Sequence, residues 1–167
     1  GKVTVGGGRP GVWTRTGTTN SNYISQWNDI DHTISWKVTV PQSGYYVLAV
    51  KYCSENAPRR DISIDGHPLP DAVRQLACDQ TGGYSRNEDQ WAVRAVTDSD
   101  FQIPYPLFLE KGEHTVTFNN AGGSMNVDYL ALLDYRLQPI REVIEGGQKN
   151  LQPAPDFNAL RETYLAD

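Results

Sequence analysis

The chain has 167 residues, a net charge of −5 and a pI of about 5.1, with 21% charged and 38% hydrophobic residues. That is enough chain for one domain with its own core and a tail, in an ordinary globular composition. No basic stripe exists to engage nucleic acid, and no apolar run approaches the roughly 20 residues of a membrane-spanning helix. There is no secretory-leader pattern, so Gly1 is expected to be the start of a mature or excised fragment.

Taken in order, the chain reads as short strands between turns. Lys2 to Val5 is strand-like and runs into Gly6-Gly7-Gly8-Arg9-Pro10-Gly11. Those letters fit G-x-G-x-x-G, but a dinucleotide loop must open a helix. Pro10 and the Thr-, Asn- and Gly-rich stretch from Thr14 to Asn22 oppose one, so a flexible turn is the reading. An aromatic loop around Tyr23 and Trp27 follows. Thr33 to Val40 alternates apolar and polar residues until Pro41-Gln42-Ser43-Gly44 stops it. Tyr45 to Tyr52 comes at once, which predicts a hairpin.

Asp61 to Ile64 is a further strand ending in the Asp65-Gly66 turn. A second aromatic loop, Thr81-Gly82-Gly83-Tyr84, precedes a strand over Trp91 to Val96, where Trp91 and the earlier Trp36 are expected in the core. Pro106 to Leu109, His114 to Phe118 and Asn126 to Leu133 complete the set. Period-two alternation in seven or eight short strands predicts an all-β protein, an antiparallel β-sandwich over residues 1–136. Beyond Leu137 the texture changes: Gly146-Gly147 and Pro153-Ala154-Pro155 read as linker and Asn158 to Leu165 as a short helix. This tail, 137–167, suits packing on the sandwich or leading to a neighbouring domain.

Catalytic constellations are lacking. His32, His67 and His114 are scattered, and neither a G-x-S-x-G elbow nor an H-E-x-x-H pair occurs. Loop carboxylates (Asp29, Asp31, Asp79, Glu88, Asp89, Asp98 and Asp100) offer hard oxygens for calcium but follow no ordered calcium-loop spacing. Cys53 and Cys78 fit one disulfide and two reduced thiols equally well. Arg59, Arg60 and Arg86 could each fork onto an acidic sugar, although exposed surface charge is the plainer reading. Rings beside glycine or asparagine, with an amide nearby, suit carbohydrate: sugar C–H faces stack on rings and hydroxyls need bidentate partners.

The order of these pieces carries more than any one of them. Val38-Thr39-Val40-Pro41-Gln42-Ser43-Gly44-Tyr45-Tyr46 comes first, followed by Lys51-Tyr52. Arg60 to Gly66, Thr81-Gly82-Gly83-Tyr84, Trp91, Leu109 to Val116 and Asn126-Val127-Asp128-Tyr129-Leu130 complete the order. Together they resemble carbohydrate-binding modules of families 6 and 35, over Tyr23 to Leu133, about two thirds of the chain.

That resemblance implies a β-jelly-roll that binds polysaccharide or oligosaccharide without cleaving it, as an accessory domain of a secreted multidomain carbohydrate-active enzyme. Its partners would be glycan and the catalytic domain of the same parent chain, with no nucleic acid or membrane. It implies Tyr84 as one stacking ring, Tyr23 as the other wall of a loop cleft, Asn126 as the hydrogen-bonding amide and Trp27 as an outside candidate. Families of this type also hold a structural calcium between an opening Glu-x-Glu strand and a late Asp, here Asp128. The opening strand, Lys2-Val3-Thr4-Val5, lacks those carboxylates.

Overall fold

The structure is a computed structural model that describes residues 3–6, 10–14, 18, 22–83, 90–98 and 103–135. The tail expected at 137–167 and the ring of Tyr84 lie outside the described residues. Among the described residues, twelve strands follow in chain order. They are β1 Val3–Gly6, β2 Gly11–Thr14, β3 Asn22–Trp27, β4 Thr33–Val40, β5 Gly44–Cys53 and β6 Arg59–Ile64. Then come β7 His67–Pro68, β8 Gln75–Ala77, β9 Ala92–Ala95, β10 Pro106–Leu109, β11 Gly112–Gly122 and β12 Met125–Asp134.

They form two six-stranded antiparallel sheets. The first runs β1-β4-β11-β6-β7 with β8 also on β6; the second runs β10-β5-β12-β3-β2 with β9 also on β5. The two sheets face one another across a single large core. β4 shows how the alternating sequence builds it: Ile34, Trp36 and Val40 are buried while Lys37 and Thr39 face solvent. Ile34, Trp36, Ile62, Val116 and Phe118 from the first sheet meet Ile24, Leu48, Val50, Tyr52 and Val127 from the second. β5 is buried on both faces, because its outward Val47 and Ala49 join a second small apolar cluster with Ala95.

Two expectations are corrected. β4 and β5 do not pair: β4 lies between β1 and β11, and β5 lies between β12 and the strands β9 and β10. Pro41 to Ser43 therefore carries the chain from one sheet to the other, as the turns before β11 and β12 also do. Within the described residues only β2–β3 and β6–β7 are neighbours both in sequence and in a sheet. The β6–β7 turn is the predicted Asp65-Gly66 pair, with φ of 51° and 79°, the doubly left-handed geometry of a tight hairpin.

The second correction concerns the loop expected around Tyr23, which is strand β3. Its register on β12 shifts between Met125↔Trp27 and Val127↔Ile24, and Gln26 sits at φ 62°. This bulge sets the inward residues Ile24 and Trp27 three apart instead of two. The alternation that reveals a strand in sequence is thereby hidden.

Candidate functional site

At one end of the sandwich the ends of β3, β5, β8 and β11 meet the starts of β4, β6, β9 and β12. Loops 28–32 and 54–58, segment 78–83 and turn 123–124 gather there. Their frame is Arg60, which is wholly buried. Its guanidinium lies 4.1 Å from the centre of the Trp27 ring. One terminal nitrogen donates to the Arg59 carbonyl at 2.8 Å, Asn120 Oδ1 at 2.8 Å and the Gly122 carbonyl at 2.9 Å. The other donates to the carbonyls of Gly123 at 3.0 Å and Trp27 at 3.4 Å. Asn120, also buried, passes the tie onward: Nδ2 donates to the Asp29 carbonyl at 2.9 Å, and Oδ1 accepts from the Gly122 N–H at 2.9 Å. A cation surrounded by carbonyl dipoles thus holds the end of β3 and the turn between β11 and β12 against β6 in one arrangement. Arg60 is no surface charge; Arg59 does face solvent, and Arg86 lies outside the described residues.

Ser54, 0% exposed, joins two more segments. Its hydroxyl donates to the Ser124 carbonyl at 2.6 Å, and its N–H donates to Thr81 Oγ1 at 2.9 Å. The Thr81 N–H returns a bond to the Ser54 carbonyl at 3.0 Å. Gly83 stands at φ 101° against the Glu55 side chain, where any Cβ would collide. The Thr81–Gly83 segment that leads into Tyr84 is therefore fixed beside the turn that leads into Asn126.

The other expected site residues differ in exposure. Asn126 is only 6% exposed, opposite Cys53 in β5 and at the register shift of β12 on β3. Trp27 is 0% exposed; its N–H donates to the His32 carbonyl at 2.9 Å and its ring lies against Arg60. It has no face to offer a sugar. Tyr23 is 9% exposed and meets the Trp91 ring edge-on, 6.0 Å between centres, so it is a covered ring in mid-strand and not an open wall. Trp91 is itself only half-buried, contrary to its expected core position.

Asp128 differs most from expectation. β12 shifts register between Val127↔Tyr52 and Tyr129↔Lys51, so Asp128 is the extra residue of a bulge and not part of a regular strand. Its side chain is 0% exposed, and Oδ2 lies 2.7 Å from Lys51 Nζ. That ammonium also stands over two rings, 5.6 Å from the centre of Trp91 and 5.8 Å from that of Tyr129. This donor set does not fit calcium, which takes six to eight oxygens. Here one carboxylate already holds an ammonium flanked by π-faces, and no group of three His, Cys, Asp or Glu suited to a metal occurs among the described residues.

Cys53 and Cys78 are both buried and are not joined. Burial pushes the Cys78 thiol up to about 12, so it stays protonated at neutral pH.

The fold has known counterparts. A family 35 carbohydrate-binding module from Clostridium thermocellum superposes with a TM-score of 0.60 at 22% identity, over 79% of this chain and 92% of that one. A family 6 module of Cellvibrio mixtus lichenase 5A, solved in complex with cellotriose, gives 0.52 at 18% identity, over 78% and 89%. A Paenibacillus cycloisomaltooligosaccharide glucanotransferase, complexed with cycloisomaltoheptaose, gives 0.56 at 20% identity, over 73% of this chain but 17% of that one. The chain has the β-sandwich fold of carbohydrate-binding modules of families 6 and 35. No protein-family model matches it, and no curated protein sequence does.

Proposed function

We propose that this domain is a non-catalytic carbohydrate-binding module that holds a secreted polysaccharide-active enzyme on its glycan. The cleft is proposed at the loop end described above, with Tyr84 as the stacking ring and Asn126 as the amide at its floor. Tyr23 and Trp27 are proposed to support it from beneath. One observation carries the reading: Ser54 ties the segment preceding Tyr84 to the turn preceding Asn126. A rigid rim of this kind lowers the entropy lost on gripping a flexible glycan. The likeness to sugar-bound modules supports the class, and the match to a small part of a larger glucanotransferase supports an accessory role.

Glycan-array screening of the chain, followed by calorimetry on the best binder, tests this. A stacking ring contributes about 1 kcal/mol beyond burial, so Tyr84→Ala should weaken binding about fivefold or more. Asn126→Ala should cost a similar factor through its lost hydrogen bonds. Binding of no glycan, with a Tyr84→Ala protein otherwise like wild type, sinks the proposal. It would favour a second reading, a structural sandwich that only packs on a catalytic neighbour. The covered rings of Tyr23 and Trp27 speak for that reading.

A further inference from the structure

We propose that Lys51 is a built-in replacement for a structural metal ion, its ammonium doing for Asp128 what a divalent cation would do. A carboxylate with no solvent exposure needs a compensating charge, since an uncompensated buried charge is strongly destabilising. The bulge in β12 supplies the geometry: with Asp128 as the extra residue, Lys51 remains opposite Tyr129 and also reaches the carboxylate.

The surroundings select an ammonium over calcium. An organic cation gains from the faces of Trp91 and Tyr129, both within the range at which such contacts act. Among the residues these contacts describe, calcium would find the Asp128 carboxylate, two aromatic rings and a positive charge already 2.7 Å from Oδ2. β1, the opening strand, contributes no carboxylate and lies in the other sheet, against β4. The Lys51 ammonium also does something a metal would not: by lying over Trp91, which packs T-shaped with Tyr23, it links the ion pair to the covered aromatic pair.

The test compares thermal unfolding of the wild-type chain in excess EDTA and in millimolar calcium chloride. The two melting temperatures should agree within about 1 °C, as expected when no metal binds the folded state preferentially. Lys51→Met should lower the melting temperature by about 10 °C, because it removes the positive charge that compensates the buried carboxylate. Lys51→Met/Asp128→Asn, which removes both charges, should recover most of that loss. Should Lys51→Met fail to fold, the double variant is read against wild type, and a folded protein melting close to wild type supports the proposal. A calcium-dependent rise in the wild-type melting temperature overturns it, as does a double variant no more stable than Lys51→Met.

Discussion

Arg60 does more for the loop end than any aromatic residue near it. It is buried, and it satisfies carbonyls from β3, β6 and the turn between β11 and β12. Arg60→Met should cost about 3 kcal/mol in urea unfolding, because it leaves those acceptors unpaired in a dry site. Arg60→Lys should restore little, since a single ammonium cannot reproduce a planar fork. Gly123 is the other exacting position: at φ 71° a Cβ would also sit 3.0 Å from Pro58 Cα. Gly123→Ala should therefore destabilise by about 1–2 kcal/mol in the same measurement, through left-handed strain and contact with backbone that cannot yield. None of this was legible in the sequence. Arg60 stands next to Arg59 and before Asp61, a polar neighbourhood that reads as surface. Its burial depends on Trp27, Asn120 and Gly122, which the fold alone brings near.

At the scale of elements, sequence reading succeeded where strands alternate and failed where a bulge breaks the alternation. β4 was read from Thr33 to Val40 as it stands, and the Asp65-Gly66 turn was legible because both residues must tolerate positive φ. β3 was hidden by its bulge, and so the burial of Tyr23 and Trp27 was hidden with it.

One tie between elements makes a pH prediction. His114 Nδ1 lies 2.6 Å from Asp65 Oδ2, and Nε2 lies 2.7 Å from the Glu110 carbonyl. Both partners are acceptors, so the ring is best served when both nitrogens carry protons. The Glu110 carbonyl, then Asp65, raise the His114 pKa above its ordinary 6.5. For Asp65, desolvation pushes upward, but the Thr115 N–H and His114 outweigh it and hold the carboxyl below its ordinary 3.8. The histidine's contribution is complete below 6.5 and is lost as pH rises through its raised value. The aspartate's is present above 3.8 and is lost as pH falls through its lowered value. The pair, partly exposed, should add less than about 1 kcal/mol at mildly acid pH. His114→Gln should therefore narrow the stability difference between about pH 5 and pH 8.5, read from urea midpoints at each pH.

At the scale of the whole molecule, the order of short motifs revealed the sandwich, although each motif was weak alone. What it did not reveal was which strands pair, because the turns that look like hairpins cross between sheets. The cysteines belong to this scale as well, since a bond between them would have linked β5 to the segment after β8. With both thiols buried and unjoined, the melting temperature should be the same with and without a reductant. An aromatic disulfide reagent should titrate the thiols only after unfolding, because a buried, protonated thiol is a poor nucleophile.

The crossing turns also bear on how the chain reaches this state. In β4, Val40 pairs with Gly112 and Trp36 with Val116, while in β5 Val50 pairs with Leu130. Each central strand waits for a partner made much later in the chain, and the entropy of closing those loops falls due before the sheets reward it. Refolding from urea should therefore be slow for a domain of this size, in the range of milliseconds to seconds. Until β11 and β12 arrive, the first half of the chain is a set of unfinished edges.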